Sequence, residues 1–220
     1  MAKLLPFNQI PKSLESGFFK KICLINHIRS KFFTILLILF ALLYCFYDVF
    51  ILKKTLVNEE FVLHLKADIV FLVLSFFFTL FIYFNQVKSS QKLKTHHRYI
   101  HFVITIFVLL WSAFKSVIFV KFNEGNYNLA IICILITSII YLFPFIMYSI
   151  QLLINLLFII TTNLVFQITI TEIAKSIYMV ILISVLAMII SRIMFYQQHK
   201  ILTKEKEVLQ FRKNHKTSSK

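Results

Sequence analysis

The chain has 220 residues, 59% of them apolar and 15% charged, with 26 phenylalanines and a formal net charge of +15. A soluble globular chain carries roughly 45–50% apolar and about 25% charged residues. With only two glycines (Gly17 and Gly125) and three prolines (Pro6, Pro11 and Pro144), the composition excludes a disordered chain, a collagen-like chain and a glycine-rich nucleotide-binding fold. It points to an all-α, polytopic integral membrane bundle.

A spanning helix needs about 20 largely apolar residues. In chain order, a basic segment at residues 1–31 leads into a first stretch, Phe32–Leu52, and a second at about Asp68–Phe84. A third lies at about Ile100–Val120, a fourth at Leu129–Tyr148, a fifth at Leu152–Ile170 and a sixth at Ile173–Phe195. Six transmembrane helices are therefore expected over residues 32–195, followed by a basic helix and tail at 196–220. No charged residue falls between Gly125 and Thr171. That run is too long for one helix, so a hairpin is expected, with its turn at Ser149, Ile150 and Gln151. Pro144 should kink the fourth span by removing a helical hydrogen bond. Runs such as Ser75-Phe76-Phe77-Phe78 lack the period of two that a membrane strand would show, which favours helices.

Lys and Arg placement sets the expected orientation. With Arg192 and Lys175 assigned to the ends of the sixth span where they lie, eighteen basic residues fall on the face of the N-terminal segment, second loop and C-terminal tail, against five on the opposite face. Both termini are expected in the cytoplasm, with the chain in a bacterial inner membrane and its basic residues against anionic lipid headgroups. Residues 1–31 hold no long apolar core and no cleavage site follows, so the first span should remain as an anchor. Cys23, Cys45 and Cys133 form no CxxC or disulfide framework and read as small buried hydrophobes.

Ionisable groups at membrane depth are costly and default to a functional reading. Asp48, Asp68, Lys115, Glu172 and Lys175 all map to the outer third of the bundle. Asp48 or Asp68 could pair with Lys115, and Tyr44, Tyr47 and Trp111 could line an outward pocket with them. Asp48, Asp68, Trp111 and Lys115 are thus the candidate ligand-binding residues. The competing reading is that these charges snorkel and the aromatics anchor the interface. Along the fifth span, Asn155, Thr161, Thr162, Asn163 and Gln167 are suited to interhelical hydrogen bonds.

His97 and His101, spaced i, i+4, share a helix face and could hold a transition metal or haem, although the acidic partner of an HExxH motif is missing. The competing reading is a basic loop at the headgroups, so no metal or cofactor is expected. His27, His64, His199 and His215 stand isolated in the sequence. No P-loop, GxSxG or paired-carboxylate motif is present, so no catalytic centre is expected. The absence of glycine in every expected span argues against a carrier built from paired interrupted helices.

The sixth span runs without Gly or Pro into a Lys/Glu-rich helix. Met194, Ile201 and Val208 recur every seven residues, as do Phe195, Leu202 and Leu209. This is the pattern of a short coiled coil that would transmit a signal and join two copies of the chain. A lone amphipathic helix on anionic lipid is the alternative. Six spans with such a helix after the last, and the approach Asn26-His27-Ile28-Arg29-Ser30-Lys31-Phe32 with Asp48 beyond it, resemble the membrane sensor regions of bacterial diguanylate cyclases and sensor histidine kinases. That resemblance implies a helix that passes motion to a cytoplasmic catalytic domain or separate signalling partner, and no such catalytic domain is expected within these 220 residues. The expected function is a membrane sensor or adaptor. A small transporter or channel, or an accessory scaffold, is the alternative. With only Tyr196 and Phe211 as stacking residues in the tail, no nucleic-acid partner is expected.

Overall fold

A computed structural model describes residues 12–51, 58–85, 95–123, 127–143 and 145–218. Among them every regular element is an α-helix: α1 (Lys12–Phe50), α2 (Asn58–Phe84), α3 (Thr95–Asn123), α4 (Asn128–Ile140), α5 (Phe145–Val165) and α6 (Ile170–Ser218). Five are long and apolar enough to cross a membrane, over Lys20–Phe50, Glu59–Phe84, Tyr99–Phe122, Ile146–Val165 and Ile177–Glu205. Outward faces of these helices are apolar, with Phe32, Leu43, Phe84 and Leu164 all well exposed. Such a surface fits a hydrocarbon solvent, where each helix satisfies its own backbone.

The fourth expected span is the one that departs. Its helix, α4, has 13 residues, about 20 Å at 1.5 Å per residue and short of a roughly 30 Å hydrocarbon core. It stops at Ile140, and Tyr141–Phe143 leave the helix, with Tyr141 extended. A proline at 144 disfavours helical backbone at the residue before it, and α5 begins at Phe145. The chain therefore turns at 141–144, not at 149–151. Ser149, Ile150 and Gln151 lie inside α5. Pro144 itself, where the kink was expected, lies outside the described residues.

Other boundaries move for related reasons. α1 begins at Lys12, so twenty residues of the expected basic segment are helical, and residues 1–11 lie outside the described residues. Asp68 does not open α2 but sits ten residues inside it. α6 is one helix of 49 residues that takes in the expected tail up to Ser218. Between α5 and α6 the chain turns through Gln167 at φ 54, and Ile168 N–H closes the end of α5 on the Asn163 carbonyl at 3.1 Å.

α3 is the most buried of the spans and lies at the centre. α1 and α2 pack against it on one side and α4 and α5 on the other, with α6 against α4 and α5. The α1–α2–α3 seam follows a seven-residue rhythm. His27, Thr34, Ala41 and Asp48 line it from α1; His64, Asp68, Phe71 and Ser75 from α2; His101, Val108 and Lys115 from α3. All are buried, because residues spaced three and four apart share one helix face.

Candidate functional site

Two regions of polar burial occupy the two ends of this seam. At the first, Lys115 Nζ of α3 lies 2.9 Å from Asp68 Oδ2 of α2 and 3.3 Å from Asp48 Oδ2 of α1. All three side chains are 0% exposed. The expected pairing of charges is therefore present, with both aspartates on one ammonium, and the side chains face one another instead of snorkelling. Asp48 and Asp68 are also the only two aspartates in the chain. The Lys115 ammonium sits 5.5 Å from the Tyr44 ring centre and 5.7 Å from that of Phe119, a cation–π setting that replaces part of its lost hydration. Both aspartate Oδ1 atoms are buried without a hydrogen-bond partner.

His64 completes this end. It precedes Asp68 by one helical turn, is fully buried, and has a partner on neither ring nitrogen. Its ring lies 4.7 Å from that of Phe119, the ring that also faces Lys115. Trp111 stacks on Phe71 at 3.9 Å and 12° and meets Tyr44 edge-on at 5.3 Å. This aromatic layer closes the triad from the middle of the seam. Trp111 and Phe71 line a cavity of about 380 Å³ between α2, α3 and α5, with Leu63, Val70, Phe107 and Phe158. Asp48, Asp68 and Lys115 are not among its lining residues.

At the other end of the seam, His27 of α1 packs against His97 and His101 of α3, with ring centres 5.6 Å and 5.8 Å apart. His101 Nδ1 is 2.8 Å from Ser30 Oγ, which is also 3.0 Å from the Tyr141 hydroxyl. Both ring nitrogens of His27 and Nε2 of His101 have no partner. His97 Nε2 lies 3.3 Å from the Asn85 carbonyl, and Cys23 Sγ donates to the His97 carbonyl at 3.3 Å. The expected His97–His101 pair is thus a buried cluster of three imidazoles. Among the described residues, no group of three or more such side chains has a geometry that would hold a metal ion.

This end also secures the break after α4. Asn26 Nδ2 donates to the Leu142 carbonyl at 3.0 Å, and Leu142 N–H donates to Asn26 Oδ1 at 3.0 Å. Arg29 Nη1 donates to the Ile140 carbonyl at 2.9 Å, one of the carbonyls a helix leaves open at its C-terminus. Non-helical backbone inside an apolar region is tolerated only where protein satisfies it, and α1 does so here.

Along α5 the expected interhelical bonding narrows to Asn163, whose Oδ1 accepts from the Tyr127 hydroxyl. Thr161 and Thr162 bond to carbonyls of their own helix. Asn155 is buried without a partner, and Gln167 is exposed in the turn. Gln151, expected in a loop, is buried and donates to the Phe102 carbonyl at 3.3 Å.

The two heptad series of α6 separate. Phe195 and Leu202 are buried with Phe18, Ile22 and Leu142, and Phe195 meets Phe18 edge-on at 5.3 Å. Lys21 pairs with Glu205 at 3.6 Å. Leu202 thus packs within its own chain. Ile201 and Val208 are about half exposed, and Met194 is half-buried. The side chains of Leu209, Glu172 and Lys175 lie outside the described residues.

His27 and His64 stand isolated in the sequence, and nothing there joins Asn26 or Ser30 to Tyr141 or to the chain after α4. The seven-residue spacing from His27 to Asp48, and from His101 to Lys115, carried the signal that would have placed the two histidines on the seam. No family model matches the chain, and no curated protein or solved structure matches it.

Proposed function

We propose that the chain is a multi-pass membrane sensor or adaptor module that passes a change in the bundle to the cytoplasm through α6. The observation that carries this reading is the continuity of α6, a single helix over Ile170–Ser218. At about 1.5 Å per residue it is about 74 Å long, more than twice a hydrocarbon core of about 30 Å. Its first half packs on α4 and α5, and its far half is polar and Lys/Glu-rich. A helix without a break transmits displacement along its length. Both termini are cytoplasmic in this reading, in a bacterial inner membrane, with eighteen basic residues on that face. The exposed Ile201 and Val208, in series with Met194, form the seam for a second copy or a cytoplasmic signalling partner. A ligand shifts such a module only by its differential affinity for two states.

The test is a cysteine series at Ile201, Val208 and Lys204 in the full chain, oxidised in native membranes. We expect crosslinked dimer at Ile201 and Val208, less at Lys204, and a changed ratio when Lys115→Met is added. Equal or absent crosslinking at all three, unaltered by Lys115→Met, would remove the reading.

A small transporter or channel subunit is the second reading, favoured by the broken backbone at Tyr141–Phe143 beside a polar seam. Ion flux into liposomes that differs between the wild type and Asp68→Asn would support it. Identical flux in protein-free liposomes would exclude it.

A further inference from the structure

The triad holds two carboxylates against one ammonium. Lys115 takes up one oxygen of each aspartate and leaves Oδ1 of Asp48 and Oδ1 of Asp68 buried and unpartnered. With both aspartates ionised, the site would keep one uncompensated negative charge away from water, which burial strongly disfavours. His64, one turn from Asp68 and sealed with both ring nitrogens free, is a second group with unused proton-binding capacity.

We propose that Asp48, Asp68 and Lys115 form a binding site for one unit of positive charge, a proton held by the two aspartates. Binding forms one O–H bond on a carboxylate oxygen and removes one negative charge. Release breaks that bond, leaves its electron pair on the carboxylate oxygen and returns the proton to water, with no change of oxidation state. A monovalent metal ion on the same free oxygens supplies the same charge from another source. The groups facing the site are Tyr44 and Cys45 from α1, His64 from α2 and Lys115 from α3, with Cys133 of α4 behind Tyr44. This site goes beyond the sensor reading and stands whether or not α6 transmits anything.

Because the chain's two aspartates are both in the triad, an aspartate-selective carbon-13 label reports on this site alone. The full chain, labelled in this way in lipid nanodiscs, is measured by infrared spectroscopy at neutral pH in sodium-free choline buffer. We expect one protonated-carboxyl band from the wild type. Asp48→Asn and Asp68→Asn should each abolish it, because the remaining carboxylate then balances Lys115. Lys115→Met should double it. The two asparagine variants remove excess charge, so their result stands even if Lys115→Met does not fold. A band that persists when sodium is added assigns the site to a proton. A band lost saturably with sodium, but not with choline, assigns it to a metal ion in competition with the proton. No protonated aspartate in the wild type and no sodium dependence would overturn the proposal, as would a band that survives Asp68→Asn.

Discussion

At one end of the α1–α2–α3 seam, two aspartates and a lysine are held by one another. At the other, three imidazoles pack ring to ring, His101, Ser30 and Tyr141 share hydrogen bonds, and Asn26 and Arg29 hold the backbone after α4. The triad draws on charge balance, since each carboxylate is tolerable only because Lys115 is beside it. The histidine end draws on backbone satisfaction, since Asn26 and Arg29 supply what a continued helix would have supplied. Removing a partner should therefore hurt both ends, but removing the whole set should hurt only the second. The triad can be replaced by neutral groups, whereas the break after α4 still needs its clamp.

The largest effect is expected from Lys115→Met, which removes the one counter-charge and forces the remaining buried carboxylate to take up a proton or stand unbalanced. Breaking a buried ion pair from one side costs about 3–5 kcal/mol, readable as a large drop in melting temperature in detergent. Asn26→Ala comes next. It strands both the N–H and the carbonyl of Leu142, at about 1–3 kcal/mol for each unsatisfied group. We expect faster amide exchange around residues 140–143 in this variant, and exchange unaltered there would contradict the clamp. Leu202→Ala should cost about 2–3 kcal/mol by opening a cavity against Phe18 and Phe195. Ile201→Ala, on the exposed face, should change the stability of the monomer by less than about 0.5 kcal/mol, and this difference separates the two heptad series. Gln167→Gly runs in the opposite direction. Relief of the left-handed backbone between α5 and α6 should raise stability by about 1 kcal/mol.

The helical class was legible because uniform apolar runs leave no other way to satisfy a backbone in lipid. Asp48, Asp68 and Lys115 were legible as a group because ionisable residues are rare inside such runs. The break at Tyr141–Phe143 was harder to see. The run from Gly125 to Thr171 has no charge to mark a turn, and Pro144 alone does not say whether a helix kinks or stops. What decides it is the pair of partners from α1, Asn26 and Arg29, more than a hundred residues away in the chain. His27 joined His97 and His101 for the same reason. Composition along the chain shows which residues are apolar, but only the seven-residue face shows which helices meet.

The buried triad is the central claim, and the stability of the triple variant Asp48→Asn, Asp68→Asn, Lys115→Met tests it most directly beside Lys115→Met alone. The three substitutions remove all the charge from one site, and replacing a buried ionic set with neutral groups is often neutral or stabilising. The account predicts a melting temperature near that of the wild type for the triple variant, with the single variant well below both. A triple variant as unstable as Lys115→Met, or three losses that simply add, would contradict the triad.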